Sequence, residues 1–262
     1  MNLSGNAFCV GLTAATLLIA SGCKKHCKEN EPDQTPKEKP ALIKDCRIKS
    51  FTKLGDYPES LYFHYNEQGN PTHTSATPDG PPNRKFEYDS KHRLIRYSDP
   101  GITYPSSFNF RMHYFYDDKD RISYDSSFYT GNIGEDGKIN VAYQFVNRYT
   151  YDEYGRVIKI VEQTVPSPYT SEATYTFYFS YDEHGNLANR DGAVYDDKPN
   201  YLRTNKIWMF LDRDYRVNNT RKAKTYNDKE LPLLFRIDEL PPVNIGFARL
   251  PGNYSEFSYE CK

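Results

Sequence analysis

Along much of the chain, apolar and aromatic residues alternate with polar ones, and the alternating runs end in Tyr followed by Asp or Asn. Leu61, Phe63 and Tyr65 form one trio, Met112, Tyr114 and Tyr116 a second, and Phe177, Phe179 and Tyr181 a third. Period-two spacing places each trio on one face of a β-strand. The residues after each Tyr are also patterned. Tyr151-Asp152-Glu153-Tyr154-Gly155-Arg156-Val157 returns in related form from Tyr65, Tyr88, Tyr116 and Tyr181, and more weakly from Tyr226. The Asp or Asn side chain can accept from the backbone two residues on and so start a turn. Three residues after it stand Gly69, Gly155 and Gly185, where a reversing chain needs a positive φ. The other copies place His92, Asp120 and Glu230 there, and Glu suits that region least. Each copy therefore predicts a β-hairpin, with an Arg or Asn and then an aliphatic residue opening the return strand.

No long helical pattern separates the hairpins, which predicts antiparallel strands in sequence order. The fold class is all-β: an up-and-down meander closing or curling into a soluble barrel-like sheet, of about fourteen strands at two per copy plus the ends. Tyr-to-Tyr spacings of 23, 28, 35, 30 and 45 residues are too irregular for a strict solenoid. The loops at 77–83, 98–105 and 165–170 are rich in Pro or Gly and belong at the rim opposite the tight turns. Glu135-Asp136-Gly137 reads as another hairpin turn. The longest spacing holds the one predicted helix, near 205–215. Ile207, Phe210 and Leu211 share a face there, Thr204 or Asn205 caps it, and the single Trp208 lies beside that face. Its expected role is packing on the sheet. The segment around Leu240, Pro241 and Pro242 breaks regular structure, and the closing strand runs from Tyr254 to Glu260.

Composition narrows this picture. The 262 residues are 37% hydrophobic yet 15% aromatic, with 24 Tyr, which suits half-wet sheet faces better than a thick aliphatic core. A net charge of -1 gives no global field for nucleic acid or anionic lipid, and no basic run interleaves with aromatics.

The first residues alter the expected location. An apolar run from Ala7 to Ala20 is too short for a comfortable membrane span and leads into Ala20-Ser21-Gly22-Cys23. This pattern resembles a bacterial lipoprotein signal, although the n-region lacks Lys and Arg and Ala20 stands where Leu is commoner. The resemblance implies a signal peptide at 1–22, cleavage before Cys23 and acylation of its sulfur and amine; the alternative is a secreted chain cleaved nearby. Either places the mature protein outside the cytoplasm. Residues 23–44, with Pro32, Pro36 and Pro40 among charged side chains, form an expected tether reaching at most roughly 60–70 Å. The folded domain is then 45–262. Cys46 opens its first strand and Cys261 ends its last, which predicts a disulfide between them in an oxidising envelope; two inert thiols are the alternative. Cys27 remains over.

The Tyr-Asp-x-x-Gly-Arg unit resembles the YD repeat of RHS-type proteins, which carry many more copies at a steadier interval. A closer resemblance, over most of the mature chain, is to a family of Gram-negative lipoproteins of unknown function with a porin-like β fold. It rests on Cys23, Cys46, the hairpin units, the stretch from Trp208 to Tyr215 with Val217-Asn218-Asn219, Tyr226-Asn227, Leu231-Pro232, and Phe257 to Cys261. The resemblance implies an antiparallel barrel-like meander and no established activity. Charged residues such as Arg111, Lys159 and Glu172 within candidate strands argue against a lipid-facing barrel.

No nucleophile elbow, zinc-protease helix or phosphate-binding loop is present, and the six His are scattered. No catalytic residue, metal ligand or cofactor is expected. Recurrence of Asp89, Asp117, Asp152 and Asp182 at one repeat position marks them as turn formers rather than a glycosidase set. The expected function is a non-enzymatic, outer-membrane binding or scaffold module held by the lipid on Cys23. Loop-rim Tyr104 and Tyr169 are the candidate contacts for a glycan or an envelope protein. The alternative is a glycan-acting hydrolase with a carboxylate pair assembled from separate strands.

Overall fold

The computed structural model describes residues 41–54, 58–100, 107–188, 194–220, 223–235 and 254–262, all within one compact unit, Lys39–Lys262. Ten strands follow in order: β1 (Cys46–Leu54), β2 (Glu59–Tyr65), β3 (Pro71–Ser75), β4 (Arg84–Tyr88), β5 (Leu94–Pro100), β6 (Ser107–Tyr116), β7 (Ile122–Ile133), β8 (Ile139–Tyr151), β9 (Val157–Val165) and β10 (Ala173–Tyr178). Each pairs antiparallel with the next.

Sequence order then breaks. The strands β11 (Tyr195–Pro199) and β12 (Asn218–Thr220) form their own two-stranded sheet. The remaining three, β13 (Thr225–Tyr226), β14 (Pro232–Phe235) and β15 (Tyr254–Cys261), add to the far side of β1, with β15 innermost. The result is a 13-stranded curling meander, open among the described residues because β10 and β13 do not pair with each other. Pairing in sequence order, as expected, therefore holds from β1 to β10 and again from β13 to β15, with β15 returning to β1; the interruption is confined to β11 and β12. The docking of β15 on β1 sets Cys46 opposite Cys261, and the two form the expected disulfide, with an S–S length of 2.04 Å. Phe51 and Phe257 face each other in the same ladder, ring centroids 4.3 Å apart.

All six Tyr-Asp or Tyr-Asn copies form the predicted turn. In each, the Asp or Asn Oδ1 accepts from the N–H two residues on and again from the N–H four residues on. For Asp152 these are Tyr154 at 3.0 Å and Arg156 at 2.8 Å, and for Asn227 they are Lys229 at 3.0 Å and Leu231 at 2.8 Å. Asn66, Asp89, Asp117 and Asp182 repeat the pair. Gly69, Gly155 and Gly185 take positive φ, and so do His92 at 59°, Asp120 at 55° and Glu230 at 60°. The Asx turn thus forces even poorly suited side chains into the left-handed region. Gly137, at 77°, does the same in the turn expected at 135–137.

A second regularity joins the copies. The carbonyl six residues after each motif Tyr accepts a hydrogen bond from a tyrosine hydroxyl. Tyr88 donates to Pro71 at 2.7 Å, Tyr116 to Leu94 at 2.8 Å, Tyr151 to Ile122 at 2.7 Å and Tyr181 to Val157 at 3.0 Å. Tyr195 donates to Leu187 and Tyr259 to Pro232. Where the copy carries Arg, its guanidinium covers the next Tyr ring: Arg93 over Tyr116 at 4.5 Å, Arg121 over Tyr151 at 5.0 Å and Arg156 over Tyr181 at 4.0 Å. The same three Arg bond the carboxylates of their own Asp89, Asp117 and Asp152. One side chain therefore closes its own turn and roofs the neighbouring one.

The core lies between one sheet face and a short crossing segment. A 3-10 turn at Tyr201–Thr204 leads into α1 (Lys206–Leu211), and Asn205 caps the helix by accepting from Ile207 N–H at 2.9 Å. Ile207, Trp208, Met209, Phe210 and Leu211 are all buried, so the helix is packed on more than the one face expected, and only Lys206 at its start is exposed. Trp208 meets Phe63 and Phe86 edge-on at 5.4 and 5.6 Å, above β2 and β4. Phe210 meets Tyr114 and Tyr149 at 5.6 and 5.2 Å, above β6 and β8. Tyr201 packs on Phe51 and Phe257. The segment thereby spans the sheet from β15 to β8. Phe177, placed by its spacing on one strand face with Phe179 and Tyr181, is 47% exposed because its strand is the sheet's edge, beyond the helix.

Candidate functional site

A concavity lies at the turn end of the sheet rather than at its loop end. Three consecutive turns, at 91–94, 119–122 and 152–156, stand across from α1 and enclose a groove of about 1050 Å³. The Asx turns fix this wall, because each turn's backbone is held by its own carboxylate. Leu94 and Ile122 supply apolar floor from the sheet, and Ile207, Met209 and Phe210 supply it from the helix. Leu42 closes one side, where Ile43 N–H donates to the Arg203 carbonyl at 2.9 Å and an Arg203 N–H donates to the Ala41 carbonyl at 2.6 Å.

The rim is cationic. Seven Lys or Arg side chains line the groove against three carboxylates, those of Asp120, Asp152 and Glu153. Arg93, Arg121 and Arg156 are neutralised locally by their turn aspartates. Lys91, Lys119 and Lys206 are exposed and carry no ion pair among the described residues. The Asp89 carboxyl is held below the usual carboxylate range, by the Arg93 N–H first and then by its guanidinium. The neighbouring Asp117 is lowered too, the Arg121 N–H and guanidinium outweighing partial burial.

Behind the groove lies a buried ionic cluster. Asp125 is fully buried on β7; Ser127 donates to its Oδ1 at 2.6 Å, Asn147 to the same oxygen at 3.0 Å, and Tyr149 to Oδ2. Arg213 approaches Oδ2 at 3.7 Å, donates to the Tyr149 oxygen and to the Phe210 carbonyl, and lies against both rings. Burial opposes its charge, but Tyr149 and Asp125 outweigh that and raise its pKa. Arg213 holds a positive φ of 55°, directly after α1. The cluster thus ties the end of the helix to the sheet. On the same row, two strands over, Glu162 faces Asn147 and Tyr175 in register. Its carboxyl is raised above the usual range by burial first and by the Asp125 charge second.

Of the residues singled out from sequence, Cys46 and Cys261 are bonded to each other. Cys23 and Tyr104 lie outside the described residues. Tyr169 is 72% exposed in the 167–170 turn and does not line the groove. Sequence reasoning missed Asp125, Arg213 and the lysine rim. Asp212, Arg213, Asp214 and Arg216 are all buried, which their alternating charges do not announce. Lys91 and Lys119 were on view within the turn repeats, but nothing local shows that α1 faces them.

No described protein family matches the sequence. No curated protein matches it either. Among solved structures, the chain is similar to a crystallised protein of unknown function from Bacteroides fragilis. The identity is 12%, over 52% of this chain and 93% of that chain, with a TM-score of 0.24. A likeness at that level carries no argument about fold or function.

Proposed function

We propose that this protein is a non-enzymatic binding module of the cell envelope, anchored in the outer membrane through a lipid on Cys23, with the turn-end groove as its ligand site. The observation that carries the reading is the groove itself: an apolar floor and a polar rim, set in rigid turns and backed by a pinned helix. This moves the expected contact from the loop-rim Tyr104 and Tyr169 to the opposite rim. The hydrolase reading finds less support. Asp125 and Glu162 share a row, but Asp125 has no solvent exposure and its oxygens are engaged by Ser127, Asn147 and Tyr149, so no substrate reaches it.

Incubation with an envelope extract, followed by native mass spectrometry of the protein and mass analysis of the extract, tests the reading. Retention of a non-covalent ligand by the protein, with the extract chemically unchanged, is the expected result. Cleavage of an extract component overturns it. For the anchor, Cys23→Ala should move the chain from the membrane to the soluble fraction; unchanged membrane retention would refute a Cys23-linked lipid.

A further inference from the structure

We infer that the groove takes a single-chain anionic amphiphile, an acyl chain ending in a carboxylate or phosphate; this rests on the binding reading above. Two features of the lining have to be matched at once. The floor between Leu94 and Ile122 on one side and Ile207 and Phe210 on the other is apolar, and the hydroxyls of the lining Tyr116 and Tyr151 are already engaged by the Leu94 and Ile122 carbonyls. Such a surface favours an occupant that loses little hydration on entering. The rim carries an excess of positive charge, seven Lys or Arg against three carboxylates. Lys91 and Lys119 stand on adjacent turns, and Lys206 stands across from them at the start of α1.

The pairing pattern decides which cations are available. Arg93, Arg121 and Arg156 are each clamped by a turn carboxylate, and each guanidinium is stacked on the next copy's Tyr. They are structural and are not free to turn toward a ligand. The three lysines have no such partner among the described residues. Glu153 is the one lining carboxylate without an Arg partner of its own. A fully apolar ligand would leave the lysines unmatched, and a small free anion would leave the floor wet. An acyl chain with an anionic head matches both. The volume of about 1050 Å³ admits one chain of this kind.

The test uses the full-length chain carrying Cys23→Ala, so that no covalent lipid competes. Fluorescence titrations compare cis-parinaric acid with its methyl ester, which has the same chain and no charge. Saturable binding of the acid is expected, with the ester weaker by on the order of tenfold and the difference shrinking as salt screens the rim. The triple variant Lys91→Glu, Lys119→Glu, Lys206→Glu should erase the preference for the acid, while its near-UV circular dichroism stays that of the parent. Equal binding of acid and ester overturns the inference and leaves the groove a binding site. Binding of the acid that the triple variant does not alter places the head elsewhere and overturns it too. Binding of neither probe overturns the inference alone if the extract experiment still yields a retained ligand, and the binding reading with it if none is retained.

Discussion

The hydroxyl of Tyr151 donates to the carbonyl of Ile122 at 2.7 Å, and this contact joins one hairpin copy to the one before it. The guanidinium of Arg121 covers the same ring. The repeat therefore works as a ladder, in which each copy's aromatic side chain completes its neighbour's backbone. Replacing Tyr151 by Phe keeps the ring and removes the bond, leaving a partly buried carbonyl without its donor. A loss of about 1 kcal/mol in unfolding free energy is expected from urea titration. Tyr124→Phe is the control, since that ring stacks on Phe115 on the exposed side, Phe keeps the stack, and loss of the hydroxyl there should leave the midpoint unchanged. Equal effects of the two substitutions would remove the ladder from the account.

Asp125 and Arg213 form a buried pair that should behave non-additively. Asp125→Ala strands the Arg213 charge in the core and is expected to destabilise by about 3–5 kcal/mol. The double variant Asp125→Leu, Arg213→Met should be less destabilised than the single Asp125→Ala. A double-mutant cycle by chemical denaturation reads the coupling directly; simple additivity would show that the pair does not hold the helix to the sheet.

Two carboxyls give opposite pH dependence. Glu162 has its folded pKa raised, so the folded state prefers it protonated; its favourable contribution is present at low pH and is lost as pH rises through that raised value. Glu162→Gln should therefore raise the melting temperature at neutral pH, with the gain vanishing in acid. Asp89 has its folded pKa lowered, so its contribution is present above the unfolded value and is lost as pH falls through the folded one. Asp89→Asn should lower the melting temperature at neutral pH and make little difference in acid. Melting curves of both variants across pH check the signs.

The Cys46–Cys261 disulfide closes a loop with a sequence separation of 215 residues. Chain-entropy arithmetic gives about 5 kcal/mol as an upper figure for such a loop. Reduction should lower the melting temperature markedly, since β15 holds β1 and β14 together in the sheet. An unchanged melting temperature after complete reduction would show that strand pairing alone fixes β15.

The turns were legible because their determinants are local. Asp152 reaches N–H groups only two and four residues away, and Gly155 marks the positive φ. The disulfide was legible from the position of its cysteines at the two ends of the folded region. The same cysteines placed the last strand, β15, beside β1; the separate sheet of β11 and β12 was not legible, since short strands such as Asn218–Thr220 carry no address. The groove escaped for the same reason: Lys91 and Lys206 lie far apart in sequence and line one groove only because α1, packed through Trp208 and Phe210, crosses the sheet. Arg213 was hidden by composition, because a run of alternating charges gives no hint that its partner is the distant Asp125.

Hydrogen–deuterium exchange on the full-length chain, before and after exposure to an envelope extract that loads it with ligand, tests the central claim most directly. Slower exchange is predicted at 91–94, 119–122 and 206–210, the turns and helix that face the groove. Protection confined to the 167–170 turn, with those three segments unchanged, would contradict the account and return the binding site to the loop rim.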